Sequence, residues 1–258
     1  MKKMVIAVLA LSAFAVLGCK KENVQINSAA DLAGKKIGVQ TGTTGETWVT
    51  ENVENVKLSS FKTGIDAALD LKNGAIDAVV LDELPAKEIV ARNSDLMIIR
   101  DQTFADNKEE YAIAVKKGNK ELLDTINKTI TEMKNNGDYE KLVAAFMPVD
   151  GNIKIPEDEG TAGDKVVKLG TNAAFPPFEY VDGKKVVGFD ITMGQKIAKT
   201  SGKKLEVVDM AFDSLIPALQ SNTIDFIAAG MSVTEERKKN VDFSVPYFQS
   251  EQVIIVRK

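Results

Sequence analysis

The sequence predicts an α/β chain built as two lobes, and three observations carry that expectation. Short apolar runs alternate with segments of helical period along most of the chain. A Pro/Gly-rich, acidic stretch at 148–164 interrupts the alternation and reads as a linker. Leu71-Lys72-Asn73-Gly74-Ala75-Ile76-Asp77 is echoed by Leu219-Gln220-Ser221-Asn222-Thr223-Ile224-Asp225, each a helix end, a polar turn and an Ile-Asp pair opening an apolar strand. The echo fits two similar lobes, and it also fits the reuse of turn residues at unrelated αβ junctions. A length of 258 residues suits two modest domains or one large one.

The elements follow in order. Residues 36–40 form a strand ending in Thr41-Gly42-Thr43-Thr44-Gly45, where a helix begins with Thr43 and Glu46 at capping-box spacing. Residues 65–72 and 83–92 are helical, and 76–81, 96–100 and 111–116 are strands. Helices at 120–134 and 139–146 are separated by the stop signal Asn135-Asn136-Gly137. Beyond the linker come strands at 166–169, 205–208, 224–229 and 252–256, with helices at 189–199, 213–220 and 235–239.

Composition excludes several chemistries. The chain has no His, so no Ser-His-Asp or Cys-His nucleophile and no His-ligated zinc can be built. Its one Cys excludes an internal disulfide and a CxxC site. A formal charge of −4 argues against nucleic acid as partner. No cofactor, metal or catalytic residue is expected.

Residues 1–18 read as a signal peptide. Lys2 and Lys3 form a basic start, and 4–17 is an apolar run broken only by Ser12, too short for a typical transmembrane helix. The alternative is a buried core helix, which the two lysines at the extreme N-terminus disfavour. The run ends in Val16-Leu17-Gly18-Cys19, which resembles a bacterial lipobox. That resemblance implies lipidation at Cys19, an anchor through lipid alone, and a location in the periplasm or at the cell surface. Residues 19–26 then form a polar tether.

In open α/β sheets ligands bind beyond the carboxyl ends of strands. Here those ends deliver a Gly/Thr helix start suited to anions, then Asp82, then Thr171, Asn172, Phe175 and Phe178, and finally Gly230, Ser232, Thr234 and Arg237. Singly, each has an ordinary explanation as a cap, a solvated charge or core.

Together, FPPFEY, VGFDI, AFDSLIPAL and IDFIAAGMSVTEERKKNVDFSVPY closely resemble the periplasmic amino-acid-binding proteins of ABC importers, as do DLAGKKIGVQTGTTGET, AIDAVVLDE and NGDYEKLVAAF. The resemblance implies the two-lobed type II periplasmic-binding fold, each lobe an open sheet flanked by helices, and capture of an L-amino acid for delivery to an ABC permease. It implies that Arg237 pairs with the ligand α-carboxylate, for which a guanidinium fork is suited. Thr43 and Thr44 would close on the same carboxylate, Asp82 would take the α-ammonium, and Gly230 and Ser232 would add polar contacts. Phe175 and Phe212 would sandwich the ligand side chain. Asn172 stands where glutamine- and basic-amino-acid-binding members carry Asp, and Leu81 where several place a polar residue. Both departures favour a neutral ligand, bound with no unpaired carboxylate at the far end of its pocket. The alternative function is an exported prephenate dehydratase-like enzyme on the same fold, which needs an acid or base aimed into the cleft. A sensor domain is a third class. A monomer is expected.

In that family the FPPFEY strand comes first and the GTTGET lobe in the middle. Here GTTGET precedes FPPFEY, so the chain looks circularly permuted, with the lobes contiguous as 27–112 and 113–258. Residues 148–165 would be a linker closing the old ends; about 18 residues reach up to about 60 Å, so closure is easy. One covalent crossing between lobes is expected, near 111–116, with the 252–256 strand packed against it. Domain swapping between two chains is the rival arrangement.

Overall fold

A computed structural model describes residues 25–149, 151–157, 160 and 163–258. The expected signal peptide, Cys19 and most of the tether lie outside the described residues.

The first lobe begins with a 3-10 turn, Ala29–Leu32, and continues through β1 (Lys36–Gln40), α1 (Thr44–Asn52), β2 (Lys57–Phe61), α2 (Gly64–Asn73), β3 (Ala78–Asp82), α3 (Glu83–Ala91), β4 (Leu96–Ile99) and α4 (Gln102–Ala105). Then β5 (Glu109–Tyr111) leads out of it and β6 (Ala114–Lys116) enters the second lobe, followed by α5 (Lys120–Asn136) and α6 (Asp138–Phe146). After the linker come β7 (Val166–Thr171), β8 (Ala174–Phe175), β9 (Glu179–Asp182), β10 (Lys185–Val187), α7 (Phe189–Thr200) and β11 (Lys204–Asp209). The chain continues through α8 (Leu215–Gln220), β12 (Phe226–Ile227), α9 (Glu235–Lys238), β13 (Val241–Phe243), β14 (Phe248–Ser250) and β15 (Gln252–Arg257).

The two main sheets share one plan. The first has the order β2-β1-β3-β15-β4 and the second β11-β7-β12-β6-β13. In each, the lobe's own leading strand pairs in parallel with two neighbours, and one antiparallel strand fills the fourth place. The repeated Ile-Asp junction is part of that plan. Ile76 packs over Gly38 of β1 and Ile224 over Gly170 of β7, each so closely that a Cβ on the glycine would clash with the Ile Cδ1. The carboxylates beside them accept matching backbone bonds, Lys36 N to Asp77 Oδ2 at 2.9 Å and Lys168 N to Asp225 Oδ2 at 2.7 Å.

Two expectations need correction. Residues 252–257 do not belong to the second lobe: β15 lies between β3 and β4 of the first. Its run of Gln252, Val253, Ile254, Ile255 and Val256 is buried throughout, so it needs a strand on both sides, and the apolar β3 and β4 supply them. Among the described residues two chain crossings therefore join the lobes, one at Ala112-Ile113 and one at Glu251, rather than one. The strand expected at 111–116 is instead two, β5 ending at Tyr111 and β6 beginning at Ala114, because the chain changes sheets there. The hinge is the antiparallel pair β5 and β14, with Phe248 opposite Tyr111. Tyr111, fully buried, packs against Phe178, Tyr247 and Phe248, with ring centroids 5.2, 6.4 and 5.8 Å away.

The described ends of the chain pack as the fold requires. Ile26 shares an apolar cluster with Ile254 and Val256. Helix α6 packs on α7, which packs on β11 beside β7, so the chain on either side of the linker packs on the same lobe.

Candidate functional site

The nine ligand-site residues named from the sequence converge on one cleft between the lobes. Thr43, Thr44 and Asp82 line it from the first lobe, and Asn172, Phe175, Phe212, Gly230, Ser232 and Arg237 from the second, around a cavity of only about 10 Å³, about the room of one water.

The local reasons are simple. β1 and β3 are apolar strands that end at the cleft in the polar residues Gln40 and Asp82. Thr43 caps α1: its hydroxyl donates to Gln40 O at 2.7 Å and accepts from Glu46 N. The Thr43 hydroxyl is thus engaged in the cap, and Glu46 closes on Gly42 N at 2.7 Å rather than on the cap residue itself. On the other wall β12 stops at Ile227, two residues short of the expected strand end, so that Ala229 and Gly230 can turn along the cleft. Gly230 has φ of +53°, and a Cβ there would come within 2.7 Å of the Phe175 ring. Only glycine fits that approach.

The charged groups sit on opposite walls. Arg237, half-buried, donates from Nη1 to Ser232 O at 2.7 Å and from Nη2 across the cleft to Gly42 O at 2.9 Å. Its guanidinium lies 5.3 Å from the Phe212 ring centroid. Burial holds its pKa below the ordinary value, while the Glu109 and Asp82 charges pull the other way. Asp82 accepts from Tyr111 Oη at 2.5 Å and from Ser250 Oγ at 3.4 Å. Burial, and next the charge of Glu109, push Asp82 up to about 7, against the Tyr111 hydrogen bond. Among the described residues no ion pair joins Asp82 to Arg237.

Sequence reasoning missed four participants. Gln40 Nε2 donates to Asn172 Oδ1 at 2.9 Å, joining the walls at the floor, and Asn172 Nδ2 donates to Met210 O at 2.9 Å. Glu109 Oε2 accepts from Thr44 Oγ1 at 2.7 Å and from Ser232 Oγ, and Oε1 accepts from Gln252 Nε2 at 3.1 Å. Asp190, fully buried, accepts from Gly230 N at 2.9 Å and from Tyr247 Oη at 2.6 Å. Glu179, also fully buried, lines the cleft beside it. Neither Glu179 oxygen accepts a bond from a protein donor, and its carboxyl interacts with that of Asp190. Burial first, and then the neighbouring Asp190 carboxylate, push the Glu179 carboxyl well above its ordinary range, and burial raises Asp190 to about 6. The only sequence signal for Glu179 was its place inside FPPFEY. Glu109 sits in a polar stretch without periodicity.

Residues 167–258 match the model of bacterial extracellular solute-binding proteins, family 3. The chain is 44% identical over 97 residues to the arginine-binding extracellular protein ArtP of Bacillus subtilis (strain 168), covering 38% of each. It is 34% identical over 125 residues to the L-cystine-binding protein TcyJ of Escherichia coli (strain K12), covering 48% of this chain and 46% of that one. The chain thus spans less than half the length of these relatives. Among solved structures, holo ArgBP from T. maritima is 51% identical over 32% of this chain and 37% of its own, with a TM-score of 0.32. An ancestral arginine-binding protein bound to glutamine is 54% identical, covering 33% and 39%, with a TM-score of 0.32. The fold is the two-lobed type II periplasmic-binding fold, and the matched family and these relatives are binding proteins rather than enzymes.

Proposed function

We propose that this chain is an extracytoplasmic solute-binding lipoprotein that closes two lobes on an L-amino acid and delivers it to an ABC importer. One observation carries the reading: a cation on the second lobe and a carboxylate on the first, Arg237 and Asp82, line one cleft between the lobes without pairing with each other. A zwitterion supplies the partner each lacks. Arg237, with Thr44 and Ser232, takes the α-carboxylate; Asp82 takes the α-ammonium; Phe175 and Phe212 form the apolar sleeve. Thr43 acts through the cap that shapes this corner, and Gly230 by leaving room for the ligand backbone.

The side-chain end is lined by Gln40, Asn172 and Glu179, the last a carboxyl held neutral by burial. Uncharged polar groups favour a neutral ligand, glutamine-like or moderately apolar. A second reading has its own support: Glu179 would become a counter-charge if a guanidinium arrived to ionise it, and relatives are named for arginine.

The motif order is that of a circular permutation, satisfied within one chain. The strand β7 shares its sheet with the neighbours of Arg237-bearing α9, and Ile26 shares an apolar cluster with Val256, as the family's order requires. Lipid on Cys19 provides the anchor, in the periplasm or at the cell surface, and the protein acts as a monomer.

The test is a thermal-shift panel of the amino acids beside turnover assays with prephenate and arogenate. A neutral amino acid should raise the melting temperature, with no turnover. Response to arginine or lysine alone would select the cationic reading, and turnover with no amino-acid response would overturn binding altogether.

A further inference from the structure

Glu109 takes no part in the ligand contacts proposed above, yet it bonds groups on both walls of the cleft. It lies on β5, the hinge strand that belongs to neither main sheet. One of its oxygens accepts from a hydroxyl on each lobe, Thr44 on the first and Ser232 on the second, and the other accepts from Gln252 at the start of β15. Among the charges that favour the protonated Arg237 guanidinium, Glu109 comes first and Asp82 second. A carboxylate that takes two hydroxyls beside a guanidinium is making the contacts assigned above to the ligand's own α-carboxylate.

We propose that Glu109 is an internal occupant of the carboxylate subsite, a side chain that the ligand's α-carboxylate must displace and that sets how tightly the cleft binds. The inference rests on the amino-acid reading of the site. Its physical basis is that the donors are few and the charges alike. Thr44 Oγ1 and Ser232 Oγ each carry one proton, and both are directed to Glu109. A second carboxylate in this corner finds them taken and meets a like charge in a half-buried, low-dielectric setting. Glu109 therefore leaves when the ligand enters. Until then it ties the lobes together through the same groups the ligand uses, which accounts for walls that meet directly through Arg237 and Gly42 and through Gln40 and Asn172.

The occupant acts as a tax on affinity. If it holds the subsite in nine molecules of ten, the apparent Kd is about tenfold weaker than the intrinsic one. It also acts as a filter, because an amine without a carboxylate cannot take over both hydroxyls and the guanidinium.

The test uses the full chain with Glu109→Gln and Glu109→Ala, checked for native circular dichroism, and two probes. The first is the amino acid that binds wild type best, measured by calorimetry: both variants should bind it roughly five- to twentyfold more tightly. The second is sodium acetate at 50 mM against equal sodium chloride, read by thermal denaturation. Acetate should raise the melting temperature of Glu109→Ala by about 2–4 °C and leave wild type unmoved, because only the variant has an open carboxylate subsite. Weaker or unchanged amino-acid binding in both variants, with no acetate effect, would overturn the proposal and leave the amino-acid reading standing. Acetate rescue with no amino-acid response in any of the three proteins would support the internal occupant and overturn that reading instead.

Discussion

Replacing Arg237 by Ala removes the side chain proposed to hold the ligand carboxylate, and the structure constrains the size of the effect. Truncating one partner of a buried charge pair costs about 2–5 kcal/mol of binding. Here the lower half of that range applies, because the fork is not idle without ligand: it already donates to Ser232 O at 2.7 Å and to Gly42 O at 2.9 Å. Binding exchanges carbonyl partners for a carboxylate, and only the difference is gained. About 2–3 kcal/mol corresponds to a Kd about 30- to 150-fold weaker. Arg237→Lys keeps the charge but loses the planar fork and much of the stacking over Phe212, so it should fall between, about tenfold weaker. Calorimetry with the best-binding amino acid gives both numbers, and circular dichroism controls for folding. Binding by Arg237→Ala within twofold of wild type would refute the assignment of the carboxylate to this residue.

The remaining predictions concern protonation, order and anchoring. Burial and the Glu109 charge push Asp82 up to about 7, so below that pH it carries a proton that an ammonium must expel. Affinity should weaken about tenfold per unit as pH falls from 6.5 to 5.5 and be flat above 8, and Asp82→Asn should bind weakly without that slope; a slope that survives the substitution would place the titration elsewhere. The same raised value lies above the ordinary 3.8, so the folded protein holds more protons than the unfolded one between about 4 and 7. Ligand-free stability should therefore fall as pH rises through that window, and thermal melts across it give the sign. A rearranged chain carrying residues 27–146 after residue 258 should fold and bind the same amino acid within a fewfold, since the new join lies within the first lobe and the cut within the second; failure to fold would count against the permuted order. Cys19→Ser should move the protein from the membrane fraction to the soluble extracytoplasmic one, and unchanged membrane association would remove lipid as the anchor.

How much of this was legible in the sequence depended on whether a residue's surroundings are local. The apolar runs of β1 and β3, the Gly137 stop between α5 and α6 and the Thr43 cap are written within a few residues, and each appears where expected. The polar edge strand β2, Lys-Leu-Ser-Ser-Phe, is half-exposed and gives no apolar alternation, so it was not expected. The hairpin of β9 and β10 was missed for the same reason. The home of β15 was invisible because its burial is satisfied by β3 and β4, strands remote in sequence. At the site, the nine residues nominated by motif resemblance gather in one cleft. Gln40, Glu109, Glu179 and Asp190 were not nominated, because their importance comes from partners on another wall or from burial, and neither is encoded by neighbours along the chain.

The central claim is that the cleft reads both ends of an amino acid, and a crystal structure of the complex with the best-binding amino acid tests it most directly. The account predicts the α-carboxylate within about 2.7–3.2 Å of the Arg237 fork and the hydroxyls of Thr44 and Ser232, the distance of a hydrogen bond. It places the α-ammonium on Asp82, the side chain between the Phe175 and Phe212 rings, and Glu109 turned away. A ligand bound outside this cleft, or bound with its ammonium towards Arg237, would contradict it.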